Sequence, residues 1–215
     1  MWDEIVRNSS MLGLIGSLIT LAFNIFITRK TKKESARVYL NTSAFNTNAL
    51  DQISKEKYAN EARLMLTDKY KETMDLIKKA DKEILSTTPM EFLEIENMSS
   101  NPCFGMKVKF SLKANNGKEE NQEFDIYTMK GNEIVIIPLI NDGGYETNTL
   151  EIIYNTIESE TMKYESTTKY KVEKGVADKI DVEVTQTVYR KLWFGMYLKM
   201  FSTSGSGMGS FKKII

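Results

Sequence analysis

Residues Gly105–Leu112 read GMKVKFSL. Met106, Val108, Phe110 and Leu112 recur at every second place, with Lys107 and Lys109 between them. Successive side chains of a strand point to opposite faces, so this spacing predicts a strand with one buried and one solvated face. The period of two continues in both directions. Upstream, Phe92–Asn97 (FLEIEN) reads as a strand and Ser99-Ser100-Asn101-Pro102 as a turn. Downstream, Ala114–Asn121 holds the turn signal Asn116-Gly117, and Glu123–Met129 (EFDIYTM) follows as a strand. Lys130-Gly131-Asn132 turns into Glu133–Ile140 (EIVIIPLI), where Pro138 favours an edge or a bulge. Asn141–Glu146 reads as another turn, and Thr149–Ile157 with Glu160–Val172 as a hairpin. Gly175 interrupts the pattern, and Lys179–Val184 adds one more strand. About six or seven short strands with evenly spaced turns predict an antiparallel β-sandwich over residues 90–184.

Before residue 90 the period is helical. Within Lys55–Leu85, the residues Tyr58, Ala62, Leu66, Tyr70, Met74, Ile77 and Ile84 recur near every 3.6 positions, with no Gly or Pro inside. This predicts an amphipathic helix over residues 55–86. Thr87-Thr88-Pro89 ends it, because the residue before proline avoids the helical region. Without a strict heptad, the apolar stripe is expected on its own domain rather than in a coiled coil. Residues 29–54 hold a basic segment, a candidate first strand at Arg37–Phe45 (RVYLNTSAF), and a polar loop at Asn46–Ser54.

Met11–Thr28 reads MLGLIGSLITLAFNIFIT, with no charge and one amide, Asn24. At about 1.5 Å per residue it covers most of a ~30 Å hydrocarbon core, which predicts a transmembrane helix. A core helix of a soluble domain would show a polar face. A cleaved signal peptide would open on basic residues and end at small ones. Here Asp3 and Glu4 stand against Arg7 in the flank 1–10, and Arg29, Lys30, Lys32 and Lys33 follow the run at once. That charge bias places the C-terminal side in the cytoplasm and the N-terminus outside. The four basic residues would meet anionic lipid. Gly13, Ser17, Thr20 and Asn24 form a stripe of small and polar residues, the pattern for helix self-association and a homo-oligomer.

In the last segment, 185–215, Thr187–Phe201 (TVYRKLWFGMYLKMF) mixes aromatics with Arg190, Lys191 and Lys199. Two readings stand: an interfacial segment returning to the bilayer through Trp193, Phe194 and Tyr197, or an element docked on the domain. Ser202–Ser210 (STSGSGMGS) is expected to be a flexible tail. It lacks the Lys that follows the last Gly of a phosphate-binding loop.

Acidic and basic residues number 29 each, so no net field draws nucleic acid to the chain. There is no histidine, which removes His-based triads, His general acid–base catalysis and most zinc sites. The one cysteine, Cys103, has no partner for an intramolecular disulfide and no His to activate it. Glu94, Glu96, Asp125, Glu151 and Glu158 are the acidic candidates for glycoside-type chemistry, but they alternate with Lys and Thr as solvated faces do. The expectation is no enzyme, no cofactor, no catalytic residue and no metal.

The stretch Phe92–Tyr154 resembles the Ig-like β-sandwich modules of bacterial surface and membrane proteins, including CARDB-type domains. The likeness rests on Ile95-Glu96-Asn97, then Asn101-Pro102, then Met106–Phe110, and on Lys130-Gly131-Asn132-Glu133 ahead of Ile134-Val135-Ile136. Ser99-Ser100 stands where those modules have Gly, and Cys103 where they have Ala. The resemblance implies binding or scaffolding and carries over no active-site residue. The expected fold is therefore α+β: one N-terminal transmembrane helix, an amphipathic helix and an Ig-like antiparallel β-sandwich. The expected function is a membrane-anchored interaction module serving a protein partner. The alternative is a self-associating, membrane-active effector that uses the anchor and the aromatic segment.

Overall fold

The computed structural model describes residues 2–48, 62–65, 67–79, 89–114, 119–139, 145–172 and 180–209. The chain divides into two units, Met1–Arg37 and Val38–Ile215. The first is α1, Trp2–Ser35. Its segment from Met11 is long and apolar enough to cross a membrane, with a mean hydropathy of 2.0 and none of that window buried. The helix runs past the apolar residues, so Arg29, Lys30, Lys32 and Lys33 lie on its surface rather than in a connecting segment. Lys32 and Lys33 occupy its last turn, where cations complement the negative end of the helix dipole.

The second unit is mostly antiparallel β-structure. One sheet has the order β1 (Leu40–Asn48), β3 (Pro89–Asn97), β6 (Ile134–Leu139), β2 (Ala62–Leu64). Among the described strands only β2 runs parallel to its neighbour. The other sheet has the order β10 (Tyr197–Gly209), β9 (Ile180–Lys191), β8 (Thr161–Val172), β7 (Tyr145–Thr156), β4 (Cys103–Ala114), β5 (Glu119–Met129), antiparallel throughout. The strands read from alternation are present. β1 begins three residues later than Arg37, and β5 begins at Glu119, inside the expected loop. Most of the expected polar loop (residues 49–54), the turn signal Asn116-Gly117, residues 141–144, Gly175 and Ser210 lie outside the described residues.

Three expectations are corrected. The long helix over 55–86 is not what the chain forms where it is described: Ala62–Leu64 is β2, and the helix is α2, Asp68–Lys78. Pairing of Ala62, Arg63 and Leu64 with Ile134, Val135 and Ile136 satisfies backbone groups that the helix would have used. Residues 55–61, 66 and 80–86 lie outside the described residues. Second, Thr187–Phe201 is not one continuous element, though its strands belong to the β unit as the docked reading expects. It is the end of β9, a turn at Leu192–Met196 and the start of β10. Third, Ser202–Gly209 is not a free tail but the second half of β10. It is paired from Ser202↔Thr187 to Gly209↔Ile180, so the backbone groups of alternate residues are met by β9 whatever its side chains are.

The buried residues of the two sheets form one cluster. Leu93, Ile95, Val135 and Ile137 of the four-stranded sheet meet Met106, Val108, Ile152, Tyr154, Met162 and Tyr164 of the six-stranded one. Each such side chain contributes roughly 1.5–3 kcal/mol of burial. α2 covers the other face of the smaller sheet through Tyr70 and Met74, against Met90, Phe92 and Ile136. β6 is thus buried on both sides, which explains its unbroken apolar run. Pro138 pairs with Phe92 on β3, while β2 reaches only to Ile136. Beyond Ile136 the far side of β6 has no partner strand among the described residues, as a proline requires.

Candidate functional site

The larger sheet has two strands more than the sheet it faces, and the smaller sheet ends at β1. Among the described residues the outer edge of β1 has no partner strand. Between that edge and the inner face of β8–β9 lies a cleft of about 430 Å³. Ser43 and Ala44 of β1 form one wall, and Ser166, Thr168, Val184 and Gln186 form the opposite one. Leu93, Phe110 and Leu150 form its floor. Among the described residues no charged side chain lines it. Nearer Leu40 the sheets are tied across this gap. Thr42 Oγ1 and Tyr164 Oη share a 2.7 Å hydrogen bond, and the Tyr154 hydroxyl donates to the Val38 carbonyl at 2.7 Å. Burial raises both phenols' pKa values, so they remain hydroxyl donors.

A second cluster sits on the outer face of the larger sheet. The Lys163 ammonium lies 2.9 Å from Glu151 and 2.5 Å from Glu165, and over the rings of Tyr189 and Tyr197. Burial alone would lower its pKa, but hydrogen bonds and charge from Glu165 and Glu151 outweigh this and raise it. Glu151 is thus held by a cation. Glu96 accepts from the Asn41 side chain, and Asp125 and Glu158 are exposed. The structure does not bring the five acidic candidates together at one place. Cys103 is buried, and its thiol pKa is pushed up to about 12 by burial and then by Glu133, so it stays protonated. Among the described residues no group of three or more acidic, His or Cys side chains is placed to hold a metal.

The end of the β unit where Val38 begins is tied together by Asn97. Its amide nitrogen donates to the carbonyls of Asn101 and Lys130, each at 2.8 Å, and its amide oxygen accepts from the Ser99 N–H at 3.0 Å. The turns Ser99-Ser100 and Lys130–Glu133 are therefore in contact. Asn132, at φ 58°, donates its N–H to the Ser99 carbonyl. A Cβ on Gly131 would stand 2.1 Å from the Ser100 carbonyl oxygen, so only glycine fits there.

The β9–β10 turn lies at the same end. Leu192 N–H donates to the Met196 carbonyl, and Gly195, at φ 79°, donates to Leu192. The turn holds Trp193 and Phe194 in a stacked pair, 94% and 80% exposed. Tyr197 is separate from that pair, on the sheet face beside Lys163. Gly13, Ser17, Thr20 and Asn24 lie exposed on α1. The Ser17 and Thr20 hydroxyls donate to the carbonyls of Gly13 and Gly16, so neither needs a second helix for its proton. Sequence reading missed the cleft and the Asn97 tie, because both join residues far apart in the chain. Comparison with known protein families, curated proteins and solved structures gives no match for this chain.

Proposed function

We propose that this chain is a membrane-anchored interaction module. α1 spans the membrane with the N-terminus outside, and the β unit stands in the cytoplasm as an Ig-like sandwich. It receives an extended segment of a protein partner along β1. Connectivity supports the sandwich. β3 and β6 are neighbours in one sheet and β4 and β7 in the other, flanked by β5 and β8, the order of Ig-like modules. β2 and the β9–β10 hairpin are then additions. The observation that carries the function is the outer edge of β1, unpaired among the described strands, beside a cleft with no charged side chain among its described lining. An added strand would satisfy the edge and drop alternate side chains into the space between the sheets. The neutral lining selects small or polar uncharged side chains. Pairing of β10 with β9 favours this module over the membrane-active effector, because among the described residues it holds Tyr197–Gly209 in the sheet.

The test is a photo-crosslinking residue at Ser43 in the full-length chain in its native membranes, with the same probe at exposed Asp125 as comparator. A discrete protein adduct from Ser43, absent from Asp125 and lost in an Ala44→Lys background, is the expected result. The same adducts from both positions, or none from Ser43, would overturn the proposal.

A further inference from the structure

We propose that the end of the β unit at which the chain arrives from α1 is a lipid-facing surface, with Trp193 and Phe194 seated in the interfacial layer of the bilayer. This rests on the reading of α1 as the anchor and is independent of the β1 edge. Among the described residues, most large apolar side chains that the β unit leaves exposed lie at this one end. Tyr39 precedes β1, Met98 follows β3, Phe104 starts β4 and Ile157 follows β7. Trp193, Phe194 and Met196 form the β9–β10 turn. The registers bring these positions together: Leu40 is opposite Asn97, Cys103 opposite Thr156, Asn155 opposite Thr161, and Met162 opposite Arg190. They are turns and strand ends, where side chains are ordinarily polar.

Ile157 and Met98 are 57% and 63% exposed with no role in the core. An apolar rim of this kind marks a surface that something covers. Two features favour lipid over protein as that cover. The chain leaves α1 at Ser35 and opens the β unit at Val38, so the rim is at the end tethered to the apolar helix and its basic cluster. The rim also mixes tryptophan and phenylalanine with flanking Lys191 and Lys199, the composition of interfacial anchors. The turn presents its two rings without a loop that must first be ordered, since Gly195 and two backbone hydrogen bonds fix it.

The experiment uses the full chain with Trp2→Phe, which leaves Trp193 as the sole tryptophan. It is reconstituted in vesicles of phosphatidylcholine and phosphatidylglycerol, with and without acyl-brominated phosphatidylcholine. The expected result is about twofold lower Trp193 emission with brominated lipid and little quenching by aqueous iodide. A control chain with Trp2→Phe, Trp193→Phe and Tyr127→Trp should show the reverse. Trp193 quenched by iodide but not by bromine overturns the proposal, as does equal behaviour at both positions. Protection from both quenchers overturns it in favour of a protein contact. A chain that fails to float with the vesicles overturns the anchor itself, whereas one that floats with Trp193 open to iodide overturns only the lipid-facing rim.

Discussion

Lys163 shows what a single side chain can do in this sheet. It sits between two carboxylates and two phenol rings on a face that is otherwise solvated. Its folded pKa is above the unfolded value, so its contribution to stability is whole below about pH 10 and fades as pH rises through the folded value. Lys163→Met is expected to lower stability by about 1 kcal/mol, roughly 2–4 °C in Tm, from pH 7 to near pH 10. The gap to the parent chain should then narrow in more alkaline buffer. Thermal unfolding across that range checks it, and a gap already closing between pH 7 and 9 would count against it. Little of this was legible beforehand. Glu151 reads only as an acid on a solvated face, and it is the β7–β8–β9 register that sets it beside Lys163 and Glu165. The same holds for Asn97 and Gly131. Asn97 reads as the end of a strand and Gly131 as a turn residue, but that Asn97 closes on the turn at Lys130 is a contact across some thirty positions.

At the scale of elements, alternation was the readable signal. Phe92–Asn97, Gly105–Leu112 and the β7–β8 hairpin were legible because one face of each is buried in the core. Reading failed where two periods fit the same residues. Tyr70 and Met74 do form a buried helical stripe, but Ala62, counted in that stripe, belongs to a strand. Burial against Phe92 and Ile136 sets the stripe, while hydrogen bonding to β6 decides the preceding residues. In Thr187–Phe201, Gly195 was the overlooked punctuation, since a positive φ splits the run into two strands. The Ser/Gly-rich half of β10 has poor strand propensity and is held by its partner instead. Amide hydrogen exchange should therefore show Ser202–Gly209 protected together with Val182–Thr187. Exchange of the former at the rate of an unstructured peptide would refute the pairing.

For the whole molecule, the division into an apolar helix and a β-rich unit was readable from hydropathy and period alone. That β1 stands at a sheet edge was not, because strand order is a property of the assembled sheets. The charge bias around α1 gives the orientation that the proposed function uses. A membrane-impermeant maleimide should label Ser206→Cys, exposed on β10, only after the cells are lysed. The native Cys103 needs no removal, as it is buried and protonated. Labelling of intact cells would put the β unit outside and redirect the search to an extracytoplasmic partner.

The way the chain passes from Val38 into β1 also has a mechanical meaning. β1 is joined to β3 over nine residue pairs, from Leu40↔Asn97 to Asn48↔Pro89, and is loaded from its Leu40 end. A pull on the tether directed along the strand slides β1 along β3, so the rungs share the load in shear instead of opening one at a time. The Tyr154 hydroxyl on the Val38 carbonyl is one of the bonds such a pull would load. The outer edge of β1, which no described strand covers and where a partner strand would add, lies on that same loaded strand. An occupied edge would add a second row of rungs in parallel, turning recruitment into mechanical reinforcement of the attachment point.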